Sequence, residues 1–366
     1  MNSSHESMPG PMAGPMAESP VGPLAAPLAA PLAAIPAIAP TFADIEAAAA
    51  RLAGWAVETP LLNPPALDRK LGGRILLKTE TLQRTGSFKF RGAFNRISQI
   101  PEAERKAGVV AYSSGNHAQG VAAAAALLGV PATIVMPEDA PAIKIANTRG
   151  YGAEVVLYDR HTENREALGA ALAAERGATI VRPYDDPGVI AGQGTCGLEI
   201  ARQAAAMGLE IDALLVCCGG GGLTAGCALA MAELSPKTRL YTVEPAGFDD
   251  TRRSLAEGAR VVNDPAARSF CDALLAPTPG ELTFPINHRL LAGGFTVSDD
   301  EARAAMRYAF RTLKLVIEPG GAVALAALLA GRLEARGKTV ALILSGANVD
   351  AESYREMLAA EETAPT

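Results

Sequence analysis

A chain of 366 residues exceeds what one simple core organises and points to two domains or one large lobed one. Hydrophobic residues make up 49% and charged ones 20%, an ordinary globular balance, and a net charge of -6 gives neither nucleic acid nor an anionic membrane an electrostatic reason to bind. The five cysteines, Cys196, Cys217, Cys218, Cys227 and Cys271, are odd in number and lie mostly in apolar runs, which fits core thiols in a reducing compartment and not a disulfide framework or a metal cluster.

Residues 1–40 are rich in Pro and Ala, with the tract PLAAPLAAPLAA from Pro23 to Ala34. Repeated proline forbids a continuous helix and these residues cannot build a core, so disorder is expected. The segment has no Lys or Arg, which argues against a secretory or organelle leader, and no later apolar run has transmembrane length. Order is expected from Thr41, where Thr41 or Asp44 can cap a helix through Ala47 to Leu52.

From there short apolar runs alternate with Ala-rich amphipathic stretches. Strands are predicted at Arg74 to Lys78, Gly108 to Tyr112, Ala132 to Met136, Glu154 to Tyr158, Thr179 to Val181, Ala213 to Cys217, Arg239 to Val243, Phe295 to Val297 and Thr339 to Leu344. Helices are predicted at Phe90 to Ile97, Ala118 to Leu128, Thr162 to Arg176, Gly194 to Met207, Leu223 to Leu234, Asp299 to Leu313 and Gly320 to Arg336. Such alternation implies an α/β fold of parallel strands covered by helices on both faces, with ligands gathering at the carboxyl ends of the strands.

Four stretches carry chemistry. In TGSFKFRG, Lys89 stands between Phe88 and Phe90, where an unpaired ammonium is costly to bury. Such a lysine loses its proton readily and becomes a nucleophile toward an aldehyde, although a lysine of this kind can also run its stem along a helix and keep its head in water. SSGNHAQG, Ser113 to Gly120, follows a strand and leaves backbone N–H groups free at a helix start, suited to a carboxylate or simply capped by Ser113 or Ser114. CCGGGGLTAG, Cys217 to Gly226, strips side chains from a helix N-terminus so that amides can wrap a phosphate. Gly220, Gly222 and Ala225 with Glu244 also fit a degenerate dinucleotide fingerprint, so this motif alone does not separate a nucleotide from pyridoxal phosphate. In SGANVD, Ser345 to Asp350, the Ser345 hydroxyl can meet a ring nitrogen, or Ser345 or Asn348 can cap a helix.

Taken together and in this order, these motifs resemble the fold-type II pyridoxal phosphate enzymes, in the threonine/serine dehydratase and serine racemase branch, over residues 42–355. The resemblance implies a two-lobed architecture like tryptophan synthase β. A large domain would span 41–107 and 186–356, with a small domain, 108–185, inserted, 1–40 as an extension and 357–366 as a tail. It makes Lys89 the Schiff-base lysine and general base, Phe88 a ring-packing residue, and Asn116 a partner of the ring hydroxyl. Gly219, Gly220, Gly221, Gly222 and Leu223 would hold the phosphate, Ser345 would face the pyridine nitrogen and leave it largely unprotonated, and Glu318 would lie beside the site. Ser113, Ser114, Gly115, Asn116 and His117 would receive the substrate carboxylate, and Ser114 matches the opposite-face acid/base of the racemases.

VEPAGFDD resembles the divalent-cation site of this branch, with Glu244 and Asp250 as carboxylate ligands and Phe248 through its carbonyl, suited to Mg or Ca; solvated acids after a strand are the plain alternative. The implied activity is β-elimination of L-threonine to 2-oxobutanoate and ammonia, with L-serine to pyruvate second. Serine racemase and threo-3-hydroxyaspartate dehydratase are the alternatives within the branch, and an NAD-dependent oxidoreductase is the alternative outside it. A cytoplasmic homodimer or homotetramer acting on a small hydroxyamino acid is expected, and without a C-terminal regulatory domain, feedback inhibition by isoleucine is not.

Overall fold

The structure is a computed structural model that describes residues 35–359 apart from Ser114 and Pro141. Among the described residues, ten strands form two sheets. They are β1 (Leu61–Leu62), β2 (Arg74–Thr79), β3 (Val109–Tyr112), β4 (Ala132–Pro137), β5 (Glu154–Tyr158), β6 (Thr179–Ile180), β7 (Ala213–Cys217), β8 (Arg239–Pro245), β9 (Gly293–Val297) and β10 (Thr339–Leu344). The larger sheet runs β1-β2-β10-β7-β8-β9 and is parallel except for β1, which pairs antiparallel with β2. The smaller runs β5-β4-β3-β6 and is parallel throughout.

Burial on both faces explains why β7, β10 and the Ile75–Leu77 part of β2 read as apolar runs instead of alternating ones. Their residues, with the helix Pro319–Leu329, buried through Leu328, form the core of the larger sheet. A second core, holding Phe90, Phe94, Val109, Ile134 and Met136, belongs to the smaller sheet and to the helices Lys89–Ser98 and Asn116–Leu128. These two helices meet closely because Gly120 has no side chain: a Cβ there would lie 3.1 Å from the Lys89 carbonyl carbon.

Several expected boundaries move. Thr41 and Asp44 do form a capping box on the helix Phe42–Leu52, but order reaches back at least to Ile35, since Ile35 and Ala39 pack on Ile190, Ala225 and Leu282. The rest of the Pro/Ala-rich stretch, residues 1–34, lies outside the described residues, as do 360–366. The helix expected from Gly194 begins at Pro187, where the Asp186 carboxylate accepts the Val189 N–H at 2.9 Å. The one expected to Arg336 stops at Leu329, and Gly331 (φ 71°) turns the chain away. The helix from Asp299 is regular to Tyr308 and widens into a π-turn over Ala309–Leu313. Helices at Pro65–Leu71, Ala142–Gly150, Asp250–Glu257, Thr283–Leu290 and Ala351–Ala359 were not expected; each is too short for a 3.6-residue pattern to stand out, and the last takes in the start of the expected tail.

Candidate active site

Loops at the carboxyl ends of β3, β7 and β10 converge on one open cleft. Phe88, Lys89, Ser113, Gly115, Asn116, His117, Gly219 to Gly222, Leu223, Glu318 and Ser345 all line it. Ser114 lies outside the described residues.

Lys89 is delivered by a sharp turn. Thr85 (φ 65°) and Gly86 (φ 72°) are both left-handed, a conformation that a β-branched threonine adopts only under constraint. The constraint is visible: the Asn348 amide donates to the Thr85 carbonyl at 2.8 Å, the Ala347 N–H to the Gly86 carbonyl at 2.9 Å, and the Phe88 N–H to the Ser345 carbonyl at 3.1 Å. The lysine and serine loops are thus stitched together. The Lys89 ammonium donates to the Pro183 carbonyl at 2.7 Å, and the residue lines the cleft. Burial pulls its pKa down to about 8, against the smaller opposing pull of Cys217 and Glu318.

Around it runs a hydrogen-bonded chain of amides. The Asn116 amide donates to Glu318 Oε1 at 2.6 Å, and Asn348 donates to Asn116 Oδ1 at 2.7 Å. Burial first, and the charge of Asp272 second, push the Glu318 carboxyl up to about 8, so it is protonated at neutral pH. His117 donates from Nε2 to the Val181 carbonyl at 2.8 Å, since a carbonyl only accepts, which leaves Nδ1 bare and unpartnered among the described residues. Burial and the nearby Lys89 charge take it down to about 3, so its ring is neutral. Ser345 is buried against Cys217, whose thiol burial pushes up to about 11.

The glycine loop is open backbone. A Cβ at Gly220 would fall 2.4 Å from ring atoms of Tyr184, and one at Gly222 would fall 3.0 Å from the same residue, so no side chain fits on this side. The N–H groups of Gly219 to Thr224 find no acceptor among the described residues at the head of the helix Gly222–Leu234. A cradle of free amides beside a lysine with a depressed pKa suits an aldehyde that carries a phosphate. The residues present fit pyridoxal phosphate.

Sequence reasoning did not find the rest of the lining. Lys144, Arg165, Pro183, Tyr184 and Asp272 all line the cleft. Lys144 pairs with Asp272 at 2.5 Å, and the Arg165 guanidinium lies 5.9 Å from the Tyr112 ring centroid. Burial pushes the Tyr184 hydroxyl up to about 12. These are single residues on helices and turns, and no local pattern announces them.

Glu244 and Asp250 lie outside the cleft. The Glu244 carboxylate accepts the N–H groups of Thr251 and Arg252 at 2.9 and 2.8 Å, so it faces a helix start and not the glycine loop, which removes the ribose role. Burial and the neighbouring Asp250 push its carboxyl well up, and burial takes Asp250 up to about 6. Asp250 Oδ1 accepts from Asn263 at 2.6 Å while Oδ2 has no partner among the described residues. No group of three or more His, Cys, Asp or Glu side chains among the described residues is arranged as a metal site.

The family model of pyridoxal-phosphate dependent enzymes matches residues 53–346. The L-threo-3-hydroxyaspartate ammonia-lyase of a Pseudomonas species is 48% identical over 87% of this chain and 98% of its own length. The serine racemase of Schizosaccharomyces pombe is 39% identical over 87% and 97%. The crystal structure of maize serine racemase superposes with a TM-score of 0.82 at 36% identity, covering 87% of this chain and 96% of that one. A crystal structure of a threonine deaminase superposes with a TM-score of 0.80 at 47% identity, covering 85% and 99%. Family match, site and fold agree: the chain belongs to the pyridoxal-phosphate dependent enzymes, in the branch of ammonia-lyases and amino-acid racemases.

Proposed function

We propose that this enzyme is an ammonia-lyase for 3-hydroxy amino acids whose preferred substrate is L-threo-3-hydroxyaspartate, converted to oxaloacetate and ammonia. The observation that carries the preference is the pair of cations, Lys144 and Arg165, on the cleft wall. A second carboxylate on the substrate needs a cationic partner once it leaves water, whereas the methyl group of threonine does not. The relative from Pseudomonas, similar over nearly its whole length, supports the same choice. L-threonine and L-serine are the slower substrates, supported by the likeness to threonine deaminase.

Pyridoxal phosphate, when bound, supplies an aldehyde for amine attachment and a conjugated ring that accepts electrons from the α-carbon. The free amides of Gly219 to Leu223 would hold its phosphate, Asn116 its ring hydroxyl and Ser345 its ring nitrogen, with Phe88 against a ring face. Lys89 is the group that attaches the aldehyde and then, as a free base, takes the α-proton. Ser113 and the backbone amides of Gly115, Asn116 and His117 would receive the α-carboxylate; the neutral His117 ring brings no charge. Glu318, protonated, holds Asn116 in place.

The specificity test is kcat/KM for threo-3-hydroxyaspartate, L-threonine and L-serine, in the wild type and Arg165→Met. The variant is expected to lose about 10- to 100-fold on the dicarboxylate, one charged hydrogen-bonding partner, and under about threefold on threonine. Threonine preferred by the wild type, with that order unmoved by the variant, refutes the preference. D-serine exceeding pyruvate as the product from L-serine would favour the racemase.

We further assign a divalent cation to Glu244, Asp250 and the Phe248 carbonyl, supported by two adjacent buried carboxyls, one with an unpartnered oxygen. Mg or Ca is expected to raise the melting temperature of the wild type and not of Glu244→Gln. A small domain at 108–185 inserted in a large one fits the two sheets. No described helix is long and apolar enough to cross a membrane, and the five thiols are free and buried. A cytoplasmic homodimer or homotetramer completes the proposal, to be checked by light scattering.

A further inference from the structure

The glycine loop does not hold its own orientation. Four glycines in a row have wide conformational freedom, so something outside the loop must choose which way each peptide faces. The helix Thr283–Leu290 packs against the loop, and neither Thr283 nor Asn287 is among the residues that line the cleft. Thr283 Oγ donates to the Gly220 carbonyl at 2.7 Å, helped by the Gly280 N–H at 3.2 Å. Asn287 Nδ2 donates to the Gly221 carbonyl at 3.4 Å, which also accepts the Ala225 N–H at 2.8 Å. Both side chains are fully buried. The helix itself is fixed by Asp185, whose carboxylate accepts the N–H groups of Glu281, Leu282 and Thr283.

In a trans peptide the C=O and the following N–H point in opposite directions, and the described chain has no cis bonds. Drawing the Gly220 carbonyl back toward Thr283 therefore turns the Gly221 N–H forward into the cleft, and drawing the Gly221 carbonyl back does the same for the Gly222 N–H. The loop cannot escape by growing a side chain: Gly221 sits at φ 95°, and a Cβ there would lie 2.7 Å from Asn287 Nδ2 and 2.9 Å from Thr283 Oγ. We propose that Thr283 and Asn287 are positioning residues that aim the amides of the glycine loop at the phosphate, and that they set cofactor affinity without touching the cofactor. This rests on the reading of the cleft as a pyridoxal phosphate site.

The test uses holoenzyme resolved and reconstituted with pyridoxal phosphate, in wild type, Thr283→Val, Thr283→Ser and Asn287→Leu. The readouts are the cofactor dissociation constant, the phosphorus NMR resonance of the bound phosphate, and the melting temperature without cofactor. Thr283→Val keeps shape and removes the donor. It is expected to weaken cofactor binding about tenfold, the worth of one buried hydrogen bond, and to move the phosphorus resonance, with Thr283→Ser restoring both. Asn287→Leu, losing a longer bond, is expected to act the same way to a smaller extent. Wild-type affinity and an unmoved resonance in Thr283→Val overturn the proposal, as does a serine variant that restores neither. Should the valine variant not fold, Asn287→Leu is judged on the same readouts. A wild type that takes up no pyridoxal phosphate removes the reading of the cleft and this proposal with it, whereas normal uptake by Thr283→Val removes this proposal alone.

Discussion

An amine attacks an aldehyde only as the free base, so the state of Lys89 decides how fast the empty cleft captures its cofactor. With a pKa drawn down to about 8, chiefly by burial, the free-base fraction rises from roughly a tenth at pH 7 to roughly nine tenths at pH 9. The rate of pyridoxal phosphate uptake by the apoenzyme, followed by stopped-flow absorbance, is expected to climb with a midpoint near pH 8 and then flatten. A lysine at its ordinary value would keep the rate climbing beyond about pH 10. Lys89→Ala is expected to leave no borohydride-fixed adduct, and a persistent adduct in that variant would place the chemistry elsewhere.

The helix Lys89–Ser98 that carries this amine is bolted down two residues later. Arg91 is fully buried and pairs through Nε with Glu80 at 2.8 Å and through Nη1 with Glu199 at 2.6 Å, while Lys78 reaches Glu199 at 2.6 Å. The Arg91 and Lys78 charges hold the Glu80 carboxyl below the usual carboxylate range despite its burial. Removing one member leaves another charge buried without its partner, so Arg91→Met is expected to cost about 3–5 kcal/mol in urea denaturation. Because a depressed carboxyl pKa contributes stability above the ordinary carboxylate value that is lost as pH falls, the wild type should lose its advantage over Arg91→Met in acid. None of this network was visible in the sequence, where Arg91 and Glu80 stand eleven residues apart in one stretch with nothing to pair them and Glu199 lies in a distant one. The central strands β3, β7 and β10 were legible because burial on both faces makes them apolar runs, and the SGNH, glycine and SGAN loops because each directly follows one of them. Lys144 and Thr283 were not, since their helices are too short to show a period, and Arg165 and Tyr184 are placed by tertiary packing alone.

At the scale of the whole molecule, the cleft is lined from both sheets, and Lys144 and Asp272, both in its lining, form an ion pair. Lys144 belongs to the helix that follows β4 of the smaller sheet, and Asp272 to a turn beside the helix Pro319–Leu329 in the core of the larger. An incoming dicarboxylate therefore competes with Asp272 for the Lys144 ammonium, whereas threonine does not. Asp272 is half exposed, so the pair is worth at most about 1 kcal/mol and is screened by salt. Asp272→Asn is accordingly expected to lower KM for threo-3-hydroxyaspartate by about two- to fivefold at low ionic strength, to leave KM for threonine unchanged, and to lose the difference in high salt. The same substitution has a second effect of known sign. Asp272 is the charge that helps burial raise Glu318, so its removal lets the Glu318 carboxyl ionise at lower pH than about 8. A pH titration of the Glu318 carboxyl in the protein without cofactor, read by infrared difference against Glu318→Gln, should then show its midpoint moving toward acid in Asp272→Asn. A KM that falls equally for both substrates would mean that Asp272 merely obstructs the cleft, and a midpoint that stays put would mean that its charge does not reach Glu318.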